Sequence, residues 1–330
     1  MLESFQMQST YGTIRGTLPS ELGQLQSLIT LQMGDMMLEG SIPAQIFSPS
    51  NNLMILDLSN NNLNGSIDSQ IGYSENLMAL YLGHNTLTGT LPQEIESCVS
   101  LKHLYLHDNL FTGPLPRNLP QGLVEIRFDR NAFTGTLPLD SFASMSSLRI
   151  LFADRNHLNG TIDDEFSHTE SLEQINLAHN EFTGPLPIIR DHSIITSIVL
   201  RENSFDFVRE MSFSSTPSLL YLDLSHQHSE KIELDPRAFA GIRSETQFAF
   251  TGCEIHTLPE GVFYGRRDTR LDLSYLKLQT IDANAFEGTW NLNLDLTGNY
   301  ITTLDPTSFP DGTARGTWHI PQILRNNTVS

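Results

Sequence analysis

An apolar motif that returns every 22 to 26 residues constrains this chain more than any other feature of its sequence. One copy reads Leu101-x-x-Leu104-x-Leu106-x-x-Asn109-x-Phe111. The position of Leu106 recurs along the chain as Met33, Leu58, Leu82, Leu106, Phe128, Ala153, Leu177, Leu200, Leu224, Phe250, Leu273 and Leu296, and a degenerate copy lies at residues 14–19. Because so short a unit cannot bury its apolar edge alone, the period predicts a solenoid of about 13 stacked repeats.

The spacing inside the motif predicts a short strand. Leu104 and Leu106 are two residues apart and therefore point to one side of a strand, into the core, while Tyr105 and His107 point outward. At a strand separation of about 4.8 Å, twelve such strands would form a parallel sheet about 55 Å long.

A polar column is expected to hold the turns after these strands. We expect its buried amides to bond the turn backbone of adjacent units, and they occupy Asn61, Asn85, Asn109, Asn131, Asn156, Asn180, Asn203 and Asn299. Cys253 occupies the same position in its repeat, and Cys98 occupies a leucine position. Both are therefore predicted to be buried packing thiols.

These motifs resemble the leucine-rich repeat over roughly residues 12–310. The resemblance implies an α/β solenoid, a horseshoe or superhelix with one parallel β-sheet on its concave side and loops, 3-10 turns and short helices on its convex side. Within residues 1–200, the repeats from Ile14 to Pro187 carry a Gly-x-(Ile/Leu)-(Pro/Asp) tail, as in Gly113-Pro114-Leu115-Pro116. This tail is similar to the plant-specific subclass of receptor-like kinase and receptor-like protein ectodomains and polygalacturonase-inhibiting proteins.

The chain is predicted to divide by repeat subclass. Residues 201–310 lack the tail, resemble typical leucine-rich repeats and are expected to continue the first array. Residues 311–330 are expected to form a C-terminal tail or an incomplete cap. Extracellular members of the family usually close both ends with cysteine-paired caps, which are not recognisable here, so we expect a fragment of a longer protein.

Composition narrows the classes of partner. The chain has 38 acidic residues against 19 lysines and arginines, a net charge of −19, which argues against nucleic acid or an anionic membrane as the main partner. No apolar run approaches the ~20 residues that cross a bilayer, so direct membrane insertion is not expected. The N-terminal residues lack the basic region and the apolar region of a recognisable signal peptide.

The outward positions of repeats four to eight form the candidate binding site. Elsewhere these positions often carry a generic Asp-Leu-Ser or Asp-Leu-Thr, as at Asp57 and Ser59. In repeats four to seven, Tyr81, Tyr105, Arg127 and Phe152 should form one row, a composition typical of binding hot spots. The predicted ligand-binding residues are Tyr81, His84, His103, Tyr105, His107, Asp108, Arg127, Asp129, Arg130, Phe152, Asp154, Arg155, Asn176 and His179. The alternative is drift, because single exposed aromatic residues are normal on any protein.

The histidines of this surface could alternatively form a metal site. His84, His103, His107 and Asp108 are ligand types, but residues four apart on a strand stand about 13 Å apart. Only His84 and Asp108 are expected as neighbours, two ligands at most, so we predict no metal, no cofactor and no catalytic residue. A pH-sensitive contact stays open, because histidine titrates near 6.5.

The resemblance and these positions together predict a non-enzymatic protein- or peptide-binding module. It would be a receptor-like ectodomain that binds on the concave face of repeats four to eight, with a receptor or co-receptor as a further partner. One alternative is an inhibitor of a secreted glycosidase, and the other is an intracellular interaction scaffold.

Three N-glycosylation sequons, at Asn64, Asn159 and Asn326, are compatible with secretion. We expect an extracellular or cell-surface location as part of a longer precursor, with a cytoplasmic location as the alternative.

Overall fold

The computed structural model describes residues 3–6, 15–162, 166, 169–189, 192–214, 216–243, 245–266, 270–290, 292–302, 304, 308 and 318–319. The chain forms two compact units, Met1–Asn159 and Gly160–Ser330. Each is described in turn.

In the first unit each full repeat gives one strand to each of two parallel sheets, here named the face sheet and the flank sheet. The face sheet contains β1 (Ser4–Gln6), β3 (Thr30–Gln32), β5 (Ile55–Asp57), β7 (Ala79–Tyr81), β9 (His103–Tyr105), β11 (Glu125–Arg127) and β13 (Ile150–Phe152), in that order. The flank sheet contains β2 (Arg15–Gly16), β4 (Met37–Ser41), β6 (Asn62–Gly65), β8 (Thr86–Gly89), β10 (Leu110–Pro114), β12 (Ala132–Gly135) and β14 (His157–Gly160).

Short helical turns connect these strands. Four 3-10 helices span Ser20–Gln24, Ala44–Phe47, Ser69–Tyr73 and Gln93–Ser97, and α1 spans Leu139–Phe142. With its parallel strands and very little helix, the architecture confirms the predicted leucine-rich-repeat solenoid.

The second unit continues the same pattern with shorter flank strands. Its face strands are β15 (Gln174–Asn176), β17 (Ser197–Val199), β19 (Tyr221–Asp223) and β21 (Gln247–Ala249), with β23 (Arg270–Asp272), β25 (Asn293–Asp295) and β26 (Trp318–His319) forming a separate sheet. Its flank strands are β16 (Glu181–Pro185), β18 (Ser204–Val208) and β20 (Glu233–Leu234), followed by the pair β22 (Thr257–Leu258) and β24 (Thr280–Ile281). The predicted change of repeat subclass near residue 200 stays a prediction.

The leucines of the motif form the core, as their spacing predicted. Leu104 pairs in register with Leu80 and Ile126, and all three side chains are fully buried. In the second unit the phenylalanines of successive repeats stack, with ring centroids 5.6–6.3 Å apart, in the order Phe213, Phe239, Phe263 and Phe286. Stacked aromatic rings supply a large buried apolar area, so this column stabilises the second unit.

The predicted amide column satisfies backbone groups of neighbouring repeats. The Asn109 side-chain oxygen accepts from the Leu87 N–H (2.9 Å), and its Nδ2 donates to the carbonyls of Leu82 (2.9 Å) and Leu106 (3.1 Å). The sequence reading missed Gln227, which makes the equivalent bonds to Phe205 N–H (3.1 Å) and to a preceding-repeat carbonyl.

Both cysteines are free, buried thiols, which confirms the prediction. Cys253 Sγ donates to the Leu224 carbonyl (3.0 Å) in place of the column amide, and Cys98 Sγ donates to the Ile71 carbonyl (3.3 Å). Burial raises the pKa of Cys98 to about 12 and that of Cys253 to about 11.

Candidate ligand-binding face

Four side chains of consecutive face strands form a contact row, here named the ladder: Tyr81, Tyr105, Arg127 and Phe152. Strand register places them side by side, which confirms the predicted row. The two tyrosine rings meet edge to face with centroids 4.9 Å apart. The Arg127 guanidinium carbon lies 5.8 Å from the Tyr105 ring centroid and 5.6 Å from that of Phe152, within range of cation–π attraction. All four side chains are half-buried, so the ladder is ordered and still presents surface.

Glu125 fixes the orientation of one end of this row. The Tyr105 hydroxyl donates to Glu125, and His103 Nδ1 lies 3.6 Å from the same carboxylate. Burial, and then the bond to Glu125, raise the pKa of Tyr105, so this phenol stays neutral. The sequence reading missed Glu125, although its outward position two residues before Arg127 was a usable signal.

A second column lies in the turns that follow the face strands. Here the residue before each column amide has left-handed backbone, with φ of 52–56°, at His84, Asp108, Arg130 and Arg155. Later repeats place Gly252 and Gly298 at the same position, where φ is also positive. Left-handed backbone turns the side chain away from strand alternation, so strand geometry alone does not predict the direction of these side chains. The predicted proximity of His84 and Asp108 is nevertheless confirmed, with His84 Nδ1 3.5 Å from Asp108 Oδ2.

The charges of this turn column are paired. Arg130 Nη1 lies 3.3 and 3.4 Å from the two oxygens of Asp108, and Arg155 Nε lies 3.8 Å from Asp154. Burial, and then the charge of Asp129, raise the pKa of Asp154 to about 6. The surface beside the ladder therefore offers both donors and acceptors rather than one sign of charge.

The structure corrects the expectation that His107 and Asp129 are displayed. Asp129 is buried and accepts from the Arg127 guanidinium (3.4 Å). His107 is 8 % exposed, and its ring lies over Gly83, where an added Cβ would come within 2.4 Å of the imidazole. Burial, and then the positive charge of Arg127, lower the pKa of His107. Because Gly83 of the neighbouring repeat has no side chain, it leaves the space that the His107 ring fills.

The limit of two metal ligands is also wrong. His84, His107 and Asp108 each bring a ligand atom to one place, and these atoms all lie within 4.8 Å of one another. The sequence argument assumed strand geometry, but these residues follow the strands β7 and β9, where that geometry no longer applies.

Two predicted residues belong to the second unit. Asn176 ends β15, and its side-chain oxygen accepts from the Ala178 N–H (3.1 Å). His179 has left-handed backbone with φ of 53°, as the turn-column residues of the first unit do. Their part in binding stays a prediction.

A groove that the sequence reading missed runs along the starts of the face strands. It has a volume of about 550 Å³ and is lined by Ile29, Met54, Met78, Val99 and Lys102, among others. Ile29, Met54, Met78 and Lys102 each directly precede a face strand, and that recurrence was the available signal.

Two of the three sequons lie in flank strands. Asn64 is exposed on β6, and Asn159 is half-buried on β14. Asn326 lies outside the described residues. Within the described residues, no helix is long and apolar enough to cross a membrane.

Residues 51–111 match the family model described as "Leucine rich repeat". The chain is 29 % identical to Receptor-like protein 18 of Arabidopsis thaliana over a stretch that covers 30 % of this chain and 14 % of that protein. The chain therefore spans only a small part of this relative.

Solved structures share the fold. The ectodomain of the Arabidopsis receptor kinase HAESA, in complex with an extended IDA peptide hormone, has a TM-score of 0.70 at 24 % identity, covering 96 % of this chain and 53 % of that one. HAESA in complex with IDA and the co-receptor SERK1 has a TM-score of 0.64 at 23 % identity, covering 88 % of this chain and 48 % of that one. At this identity the likeness establishes the leucine-rich-repeat solenoid.

Proposed function

From the leucine-rich-repeat solenoid that this chain forms, we propose that it is a non-enzymatic protein- or peptide-binding module of a receptor-like ectodomain. Its ligand binds on the exposed face of repeats four to eight, centred on the ladder. The contact row of Tyr81, Tyr105, Arg127 and Phe152 carries the proposal.

The ladder has the physical properties of a binding hot spot. Tyrosine and arginine dominate the energetics of protein interfaces because they combine a large apolar area with polar ends. Here the rings and the guanidinium already hold one another in place, so little side-chain entropy remains to be lost on binding. Glu125 adds to this order by accepting from Tyr105.

The repeats that carry the ladder also lack a hydrogen bond between a side-chain carboxylate and the backbone that several other repeats have. In four other repeats an aspartate at the ladder position accepts from the backbone two residues later, as Asp57 does from Ser59 N–H (3.1 Å) and Oγ (2.6 Å). Tyrosine, arginine and phenylalanine at this position have no carboxylate to make that bond. Four consecutive repeats that carry a large aromatic or cationic side chain at this position favour a contact surface over drift.

The class of ligand is proposed by analogy with the structural relatives. The HAESA ectodomain has been solved with a peptide hormone and with a co-receptor. A shared fold does not establish a shared ligand, so a peptide ligand and a co-receptor partner are part of this proposal. We place the module outside the cell as part of a longer precursor. The complete reading frame tests this placement, because a cytoplasmic protein would have neither a leader sequence nor a membrane span.

The test is selection from a random-sequence peptide display library on the immobilised chain. Peptides selected on the unaltered protein are expected to bind the Tyr105→Ala, Phe152→Ala double variant at least about 10-fold more weakly. Truncation of a hot-spot residue costs about 2 kcal/mol or more, and about 1.4 kcal/mol corresponds to a tenfold change in Kd. The control is Tyr73→Ala with Met37→Ala, two exposed side chains away from the face sheet.

The thermal melt separates binding from folding in this test. Both double variants are expected to melt within about 2 °C of each other, because half-exposed and exposed truncations cost little stability. Retention of tight binding by the ladder variant would contradict the proposal.

A further inference from the structure

Three side chains with metal-binding chemistry converge beside the ladder. They are His84, His107 and Asp108, here named the cluster, and their ligand atoms lie within 4.8 Å of one another. His84 Nδ1 lies 3.5 Å from Asp108 Oδ2. Donors bound to a tetrahedral zinc at about 2.1 Å stand roughly 3.4 Å apart. The pair His84 and Asp108 already has nearly that separation, and the His107 donor lies within 4.8 Å of both.

His107 is the rigid member of the cluster. Its ring packs against the His84 ring with centroids 4.9 Å apart, and it also lies over Gly83. Its Nδ1 is buried and has no hydrogen-bond partner among the described residues. A buried polar atom without a partner costs free energy, and metal coordination at the imidazole would give that ring a compensating bond.

Asp108 is held in place by a cation. Arg130 Nη1 contacts both of its oxygens, at 3.3 and 3.4 Å. Carboxylates that ligate metals are commonly oriented by such outer hydrogen bonds. His84 is the adjustable member, because its side chain is 50 % exposed and can rotate to close the site.

We propose that His84, His107 and Asp108 bind one divalent transition-metal ion, with zinc as the best match. Two imidazoles and one carboxylate suit zinc, copper or nickel, whereas calcium and magnesium require mostly oxygen ligands. Three protein donors leave one coordination position for solvent. The ring of Tyr105 lies 6.0 Å from that of His107, so the ion would stand at the edge of the ladder. The proposal does not depend on the proposed function.

The test is zinc binding by the untagged, metal-free chain, followed by calorimetry. We expect one tight zinc per chain. His84→Asn and Asp108→Asn, which alter surface side chains, should each weaken binding at least about 10-fold, since each removes one donor. His103→Asn is the matched control, because that histidine lies on the same strand as Tyr105 but is not part of the cluster, and it should bind as the unaltered chain does.

A second variant keeps all three donors and moves one. The Cβ of Gly83→Ala would displace the His107 ring, so zinc affinity should fall with every ligand still present. Cobalt absorption gives an independent readout, because four-coordinate cobalt absorbs strongly in the visible range and hydrated cobalt does not. Equal zinc binding by the His84→Asn, Asp108→Asn double variant, equal losses in the His103→Asn control, or a cobalt spectrum of the hydrated ion would overturn the proposal.

Discussion

At the scale of single residues, the half-buried carboxyl group of Asp154 beside the ladder has a pKa that depends on its surroundings. Asp154 lies near Asp129, with Arg130 and Arg155 as the nearest positive charges. Burial and the negative charge of Asp129 raise the pKa of Asp154 by more than the two arginines lower it, so this pKa rises from 3.8 to about 6. A raised pKa means that the charged form is less favourable in the folded chain than in the unfolded one.

This shift predicts a pH-dependent gain in stability for Asp154→Asn. Above pH 6 the folded unaltered chain must keep a disfavoured charge, whereas below pH 4 both states are protonated. The variant should therefore be more stable than the unaltered chain by about 1–2 kcal/mol at pH 7.5, and the gain should vanish toward pH 4. The expected figure is below the full ~3 kcal/mol of a two-unit pKa shift because solvent screens this partly exposed carboxylate.

Urea unfolding at pH 4.5, 6 and 7.5 measures this effect. Asp206→Asn, at an exposed aspartate of β18, reports the background effect of removing one negative charge. A stability difference between Asp154→Asn and the unaltered chain that stays constant with pH would show that Asp154 titrates normally.

At the scale of the structural elements, the turn after each face strand determines how the repeats join. The turn combines a left-handed residue, such as Asp108, with an amide that bonds backbone groups of two repeats, such as Asn109. Because the turn is shared between neighbours, damage to one amide should weaken the interface of two repeats rather than one strand.

Asn109→Ala is accordingly expected to destabilise the chain by about 2–4 kcal/mol. The substitution removes the acceptor of the buried Leu87 N–H, which costs about 1–3 kcal/mol. It also removes one bond each to the carbonyls of Leu82 and Leu106, which keep the neighbouring column amides as donors, at about 0.5–1.5 kcal/mol per bond. Chemical denaturation measures the change, and Asn62→Ala, at an exposed asparagine of β6, is the matched control. Equal stability of the two variants would mean that solvent replaces the lost bonds.

The elements also show which parts of the fold and site follow from sequence. The row of Tyr81, Tyr105, Arg127 and Phe152 was predictable because side chains alternate along a strand and the repeats place the strands in register. The direction of His107 was not, because it depends on the empty position at Gly83 in another repeat. The left-handed turn column was visible only indirectly, through Gly252 and Gly298 at equivalent positions.

At the scale of the whole molecule, net charge opposes compactness. The chain carries −19, so its acidic groups repel one another on average, and that repulsion is stronger in the folded chain than in the expanded one. The exposed ion pairs, such as Lys231 with Glu233 (2.5 Å), contribute little in comparison.

Thermal stability should therefore increase with moderate salt. Raising sodium chloride from about 10 mM to about 100 mM shortens the screening length from about 30 Å to about 10 Å, and we expect the melting temperature to rise by about 2–5 °C. Differential scanning calorimetry measures it, and tetramethylammonium chloride at equal ionic strength separates screening from sodium binding. A melting temperature that falls with salt would show that the ion pairs outweigh the net repulsion.

The two buried thiols have a practical consequence for studying the face. A cysteine reacts with maleimides as its thiolate, and pKa values of about 12 and about 11 keep both native thiols protonated near neutral pH. An engineered surface cysteine, for example Tyr73→Cys, would consequently be the one position that takes a fluorophore or spin label. Site-specific labelling of this chain requires no removal of its own cysteines, so ligand docking can be followed by spectroscopy on an otherwise unaltered scaffold.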